Sequence, residues 1–367
     1  MKSEYPDSKS DLFAAFIERV VTMVRPHGYM AQVTMQSWMF LSSYESLRSK
    51  LQRDASIVTM LHMDNMVMRI AFGTSATVWE ICGDAGAAGK YTWIAIDDLD
   101  GNAPRQFPAR NSRNARSGAD GFFTVAQREM TTIPGSPVVY WLSEKMRGSF
   151  STGKPLSEVA NLRQGLATAD NGRFLRQWWE VSLARTAFSC TSREEAKASG
   201  ARWFPYNKGG EFRKWYGNQE HVVNWEDDGA EIVAFKPRSV IRNPGTYFSP
   251  SVSWSKVSSG APAFRFYPAG FIYDVAGTSI FATAGQQRTG LLSFANSQVA
   301  FEQLAAVAPT LNYEVGQVAG LPVADASAKE GASLATTAID VARSDWDCFE
   351  TSWGFGRNPL VELTEHG

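Results

Sequence analysis

Residues 11–34 read Asp11-Leu-Phe-Ala-Ala-Phe-Ile-Glu-Arg-Val-Val-Thr-Met-Val-Arg25-Pro-His-Gly28-Tyr29-Met-Ala-Gln-Val-Thr34. Leu12, Phe13, Phe16, Ile17, Val20, Val21 and Val24 recur at helical spacing, with Ser10 or Asp11 placed to cap the first turn. Arg25-Pro-His-Gly28 stops that helix, because proline lacks the amide hydrogen a helix needs and glycine tolerates the reversal. Tyr29–Thr34 follows as a short, apolar, β-prone run. Ser42 or Ser43 then precedes Tyr44, Leu47 and Leu51, a second amphipathic helix. Ile57-Val-Thr-Met-Leu61 reads as a second buried strand and Ala76-Thr-Val-Trp-Glu-Ile81 as a third. Helices alternating with apolar strands predict an α/β unit with a largely parallel sheet. Three strands are fewer than an open doubly wound sheet carries, so the unit reads as partial.

Beyond residue 83 the periodicity weakens. Gly83-Asp-Ala-Gly-Ala-Ala-Gly89 and Asp97-Asp-Leu-Asp-Gly101 read as turns. The stretch Arg105–Arg128 holds five arginines and one acid, Asp120, a local balance of +4. A Gly/Ser/Pro-rich stretch near 148–156 precedes a second composition, in which five of the 12 tryptophans fall within residues 171–225. Phe264–Tyr267 and Phe271–Tyr273 are β-like, Leu291–Val307 is helical, and Ala324–Ala338 reads as an Ala/Ser/Thr-rich linker. These shifts predict a first domain over 1–100, an Arg-rich connector over 101–157, a second domain over 158–323 and an acidic linker with a further segment over 324–367. The second domain is expected to be mixed α+β.

The chain has 367 residues, 44% of them hydrophobic, enough for two cores. No apolar run approaches the roughly 18–20 residues of a membrane span and no signal-peptide pattern opens the chain, so a cytoplasmic location without a membrane partner is expected. Cys82, Cys190 and Cys348 are odd in number and far apart, which excludes a disulfide framework and a zinc-finger spacing. The formal net charge of −1 speaks at first against a nucleic-acid partner. Resolved by segment, residues 313–367 hold nine acids and three bases, so the −1 total is −6 there and +5 over residues 1–312.

Taken from the residues alone, catalytic motifs are absent. The four histidines support no nucleophile–base arrangement, and neither CxxC, HExxH nor GxxxxGK[ST] occurs. Gly83–Gly89 resembles a phosphate-cradling glycine loop, but such a loop needs a strand before it and a helix after it. Asp97, Asp98 and Asp100 could bind a metal, with a solvated turn as the alternative. Arg105, Arg110, Arg113, Arg116 and Arg128 lie among Pro, Asn, Ser and Gly, a setting suited to neutralising phosphates or reading guanine, with an ordinary solvated loop as the alternative. Arg202–Gly217 interleaves bases with aromatics around Gly209-Gly210, which serves base stacking together with phosphate contact. Its alternative is a small β core carrying Lys208, Arg213 and Lys214 on its surface.

Asp11–Arg19 and Gly28–Arg48 resemble the later half of an adenine-N6 DNA methyltransferase, and within that group the PglX type of BREX phage-defence systems. Gly165–Glu180, Pro205–Gly217 and Asp274–Ile280 continue the resemblance. Leu291–Ser297, Pro309–Gly316 and Leu321-Pro322 resemble the end of a TaqI-type specificity domain, and Asp345–Trp353 the start of the segment after it. The resemblance implies a partial Rossmann-like methyltransferase sheet whose visible strands are the fifth, sixth and seventh of seven. It also implies S-adenosylmethionine as methyl donor in the full-length enzyme and double-stranded DNA as partner. The donor-binding glycine loop and the Asn-Pro-Pro-Tyr motif of such enzymes are not in this sequence, so the chain alone is expected to bind no donor.

The same resemblance places Phe72 where related enzymes stack an aromatic on the extruded base, with a core position as the alternative. It turns the loops carrying Asn171, Arg173 and Arg176, and Asn207, Lys208, Arg213, Lys214 and Trp215, toward DNA. A buried Arg–acid pair using Glu180 or Glu211 is the competing account there. The expected role is target recognition within a site-specific adenine methyltransferase. A non-catalytic recognition subunit that pairs with a separate N-terminal methyltransferase half, or with other BREX components, is the alternative.

Overall fold

The computed structural model describes residues 4–84, 86–258, 260–282, 288–308, 312–323 and 325–364, with backbone only over 325–330 and 362–364. The chain forms two compact units, Met1–Thr152 with Ala306–Pro309 and Gly153–Ala305 with Thr310–Gly367.

In the first unit α1 (Leu12–Val21), β1 (Tyr29–Met35), α2 (Glu45–Asp54), β2 (Ala55–Met63) and β3 (Thr74–Ile81) occupy the predicted stretches. Ala14, Ile17 and Val21 give α1 its buried face, whereas Leu12 and Phe16 are exposed. The sheet has five strands in the order β1-β3-β2-β4-β7. Its extra strands are β4 (Ala88–Ile94) and β7 (Phe123–Ala126), separated by a small hairpin of β5 (Leu99–Asp100) and β6 (Ala103–Pro104). β4 starts inside the stretch read as a glycine turn. Its Gly89 lets the chain approach β2, since a Cβ there would lie 2.4 Å from the Ile57 carbonyl oxygen.

The expectation of a largely parallel sheet is corrected. β3 is antiparallel to both β1 and β2, β7 is antiparallel to β4, and only β2 and β4 pair in parallel. The connection 64–73 is too short for the helical crossover, about a dozen residues, that a parallel neighbour requires. The α/β logic survives between β1 and β2, which both oppose β3 and so run the same way, joined through α2. Trp38, Trp79, Leu47, Ile57 and Tyr91 centre this core. The Arg48 guanidinium is buried there and donates to the carbonyls of Trp38, Leu41 and Gly135. α3 (Glu144–Thr152) closes the unit.

The second unit begins with β8 (Lys154–Pro155), α4 (Leu156–Val159) and β9 (Ala160–Arg163), then α5 (Asn171–Phe174), β10 (Leu175–Gln177) and α6 (Arg193–Ala198). β11 (Trp203–Asn207), β12 (His221–Asn224) and α7 (Glu226–Ala234) follow, and then β13 (Ser251–Trp254), β14 (Phe264–Tyr267), β15 (Ile272–Tyr273) and β16 (Ser279–Ala282). They build two four-stranded sheets, β10-β12-β11-β15 and β14-β13-β16-β9. Phe174, Phe204, Tyr206, Val223, Trp225 and Phe248 share one core.

The single helical run expected over Leu291–Val307 is two helices, α8 (Arg288–Ala295) and α9 (Gln298–Val307). Asn296 breaks it by bonding the backbone of Phe264 in both directions. After α10 (Val315–Ala319) and β17 (Pro322–Val323), the linker expected over 324–338 is instead the start of α11 (Asp325–Trp346), and α12 (Pro359–Thr364) ends the described chain. Alanine, the best helix former, makes such a stretch helical once a partner buries one face. Gly331 provides the close approach, because a Cβ there would lie 2.1 Å from Ser293 Oγ of α8.

Candidate nucleic-acid interface

The connection 64–73 carries Phe72. Its Val67 packs in a small cluster with Met63, Ile94 and Ala109. Met66, Met68, Ile70 and Phe72 instead face outward, Phe72 at 43% exposure. The core alternative for Phe72 is therefore set aside. Arg69 donates to Asn102 Oδ1, which ties this connection to the hairpin β5–β6.

Ala109 of the same cluster introduces the arginine-rich connector. Asn111 and Asn114 pin it to β4: both side-chain amides donate to the Trp93 carbonyl, at 3.0 and 2.8 Å, and Asn114 Oδ1 accepts from the Trp93 amide. The loop so held surrounds a cleft of about 710 Å³ lined by Arg110, Asn111, Ser112, Asn114, Gly118 and Asp120, among others. Arg105, Arg110 and Arg116 are exposed and carry no ion pair among the described residues. Arg113 differs from them, because its guanidinium lies over the rings of Trp93 and Trp141, at 3.9 and 4.7 Å. It belongs to a polar cluster under the connector in which His62 touches Tyr140 and Gln36. Burial, with a smaller contribution from the positive charge of Arg113, pushes the His62 ring down to about 3.

Asp98 accepts from the Ala95 amide and from Asn111, and among the described residues no cluster of His, Cys, Asp and Glu is arranged to hold a metal. Gly83–Gly89 joins the strands β3 and β4, with Ala85 outside the described residues, so no helix follows it. A Cβ on Gly86 would meet the Arg128 guanidinium at 2.7 Å.

In the second unit each predicted cation contacts other groups of the chain. Arg173 lies over the rings of Phe174 and Phe235 and 3.6 Å from Glu231. Arg176 donates to the carbonyls of Gly172 and Leu175, both at 2.6 Å. Lys208 pairs at 2.8 Å with Asp274, a buried carboxylate that also accepts from Tyr206. Arg213 pairs with Asp345 and stacks over Trp346, and Lys214 donates to the Asn296 carbonyl. The acids that meet these cations are Glu231, Asp274 and Asp345 and not Glu180 or Glu211, and the pairs of Arg173 and Arg213 lie at the surface and are not the buried Arg–acid pair expected as the alternative. Glu180 instead accepts from the Gln177 amide.

Asn207 is buried, its amide donating to Ser253 and the Gly277 carbonyl, which leaves it no group for a base edge. Asn171 is exposed and its oxygen accepts from Thr168. Trp215 is half-buried with a left-handed φ of 72° and a backbone bond to Phe264. At the tip of the basic–aromatic loop Phe212 is 60% exposed.

Comparison with known proteins finds similarity to DNA methyltransferases and restriction-modification enzymes. The Eco57I restriction-modification methylase model matches residues 1–67. The chain is 35% identical over 368 residues to "Adenine-specific methyltransferase BrxX" of Escherichia coli O9:H4 (strain HS), covering 98% of this chain and 29% of that protein. It is 33% identical over 374 residues to "Adenine-specific methyltransferase PglX" of Lacticaseibacillus casei (strain Zhang), covering 99% of this chain and 31% of that protein. The chain is related to the BrxX/PglX adenine-specific methyltransferases. It spans less than a third of the length of these relatives. The Type IIL restriction-modification enzyme MmeI, solved in complex with DNA, shares the fold with a TM-score of 0.54 at 14% identity, over 99% of this chain and 49% of MmeI.

Sequence reading passed over one basic stretch of the second unit. No Asp or Glu occurs between Glu231 and Asp274, a run containing Lys236, Arg238, Arg242, Lys256 and Arg265. The missing acids were the available signal.

Proposed function

We propose that this chain is the target-recognition part of a site-specific adenine-N6 DNA methyltransferase of the BREX phage-defence type. The whole enzyme moves a methyl group from S-adenosylmethionine to the amino nitrogen of an adenine in double-stranded DNA. The donor-binding loop and the Asn-Pro-Pro-Tyr motif of such enzymes are not in this sequence, so no step of that transfer is assigned to its residues. Their contribution is to bind and position DNA. The reading of the first unit as the closing part of a Rossmann-like sheet is supported by β1 and β2 running in the same direction. It is supported also by the edge position of β1, where Tyr29 and Val33 are exposed and a further strand can add.

The observation that carries the DNA reading is the pairing, within one unit, of an exposed aromatic with a pinned loop of unpaired arginines. Phe72 offers a ring face to an extruded base, offsetting part of an unpairing cost of a few kcal/mol. Arg105, Arg110 and Arg116 supply positive charge to backbone phosphates without first having to break an internal ion pair. No described helix is long and apolar enough to cross a bilayer.

A mobility-shift titration of the full chain on duplex DNA against salt tests the reading. Each phosphate contact adds roughly −0.9 to the slope of log affinity against log salt. Binding that weakens with salt, with a shallower slope when Arg105, Arg110 and Arg116 are neutralised, supports the proposal. Binding indifferent to salt, or absent, overturns it.

A further inference from the structure

The acid-free run of the second unit folds into a second cationic surface. Ala167 and Val240 exchange both backbone hydrogen bonds, at 2.9 and 2.8 Å, in an antiparallel bridge. That bridge lays residues 163–173 beside residues 236–243, and Asn243 extends it by donating to the Gln164 carbonyl at 2.8 Å. At one end Arg173 and Arg238 both lie over the Phe235 ring, at 5.4 and 4.9 Å. At the other, Arg163 is exposed, and its guanidinium donates to the carbonyl of its neighbour Leu162. Lys236 and Arg238 are exposed, Arg242 is half-buried, and none of the four forms an ion pair among the described residues. The remaining cations of the acid-free run lie elsewhere: Lys256 pairs with Glu314, and Arg265 is buried against the carbonyls of Glu211 and Arg213.

The acids that border this surface are both occupied. Asp170 caps α5 through the Arg173 amide, and Glu231 is shared by Arg173, Arg202 and Asn224. A row of cations left without carboxylates is self-repelling in the folded protein, and the repulsion is relieved when a polyanion neutralises it.

We propose that Arg163, Lys236, Arg238 and Arg242 form a phosphate-tracking strip that holds the backbone of duplex DNA. This rests on the DNA-binding reading above and deepens it, by moving the backbone contacts of the second unit from the internally paired Lys208 and Arg213 to this strip. Contacts of that kind set the register of a protein on its duplex without reading bases. The strip therefore contributes equally to target and non-target sequences.

The test is a fluorescence-anisotropy titration of the full chain against a labelled mixed-sequence duplex over a range of salt. Three proteins are compared: the unaltered chain, the variant R163Q/K236Q/R238Q/R242Q, and the connector variant R105Q/R110Q/R116Q. The strip variant is expected to bind at least tenfold more weakly, with a salt slope shallower by roughly 2–4, consistent with losing several phosphate contacts. The pair K236E/R238E, confined to two exposed side chains, gives the same direction of change if the fourfold variant does not fold. Strip variants that bind with unaltered affinity and slope, while the connector variant weakens, overturn this inference and leave the DNA reading standing. An unaltered chain that does not bind duplex DNA at all overturns both. Duplex binding lost together with the native circular dichroism in K236E/R238E also overturns the assignment, because it makes these residues structural.

Discussion

The guanidinium of Arg113 lies 3.9 Å from the centre of the Trp93 ring, with Trp141 4.7 Å away. An arginine held by two indoles is a packing element as much as a charge, and this separates Arg113 from the other connector arginines. Arg113→Ala should lower the stability of the chain by about 2 kcal/mol, through lost cation–π contact and an emptied site above Tyr140. Arg110→Ala, on the exposed side of the same loop, should stay within about 0.5 kcal/mol while weakening duplex binding. Chemical denaturation of the two variants, side by side, checks the contrast. Equal loss of stability in both would contradict it.

His62 predicts a pH dependence with a definite sign. Its ring is held at about 3 in the folded protein against an ordinary 6.5, so folding favours the neutral form. Stability is complete above about pH 6.5 and declines as the pH falls toward 3, because the unfolded chain takes up a proton that the folded one refuses. The slope from this one group is at most about 1.4 kcal/mol per pH unit. His62→Gln should flatten the profile between pH 6 and pH 3.5 even though it lowers stability at neutral pH. Identical slopes in the two proteins would remove His62 from the account.

Phe72 is exposed, so its removal should leave the fold intact. Phe72→Ala is expected to unfold at the same denaturant midpoint as the unaltered chain, within about 0.5 kcal/mol. In the methyltransferase proposed above, the same change should slow methyl transfer, and Phe72→Trp should recover most of the rate by restoring a ring face. A loss of rate that tryptophan does not rescue would argue against stacking.

The contact of α11 with α8 depends on Gly331. A methyl group there would lie 2.1 Å from Ser293 Oγ and 2.6 Å from its Cβ, so the helices must separate to admit it. Gly331→Ala should cost about 1–3 kcal/mol despite the better helix propensity of alanine. Combining it with Ser293→Gly should recover part of the loss, a coupling that a double-mutant cycle measures. Strict additivity of the two changes would show that the helices do not meet at this point.

The elements of the first unit were legible where one periodicity ran uninterrupted. Ala14, Ile17 and Val21 mark one face of a helix, and the runs later found as β1, β2 and β3 are apolar enough to be strands in any context. β4 was hidden because its Ala88-Gly89 start has turn composition. Only the approach to Ile57 explains the glycine as a strand residue. The Ala/Ser/Thr stretch before Ala338 looked like a linker for a related reason, since small residues are uninformative until α8 is seen to need a close neighbour.

For the interface, composition located the arginine-rich connector and the aromatic–basic segment but could not tell open cations from engaged ones. Arg105 and Arg113 look alike in sequence, yet one faces solvent and the other is held against Trp93. Lys208 and Arg213 stand in the more suggestive motif, but Asp274 and Asp345, at least 60 residues away in sequence, already neutralise them. Local sequence determined α1 and α2, the first three strands and the positions of the charged stretches, because these follow from propensity and spacing over a few residues. Tertiary structure alone decided the antiparallel pairing of β3 and the helical state of residues 325–346. It also decided which cations remain open to a phosphate, because each of these depends on a partner distant in sequence.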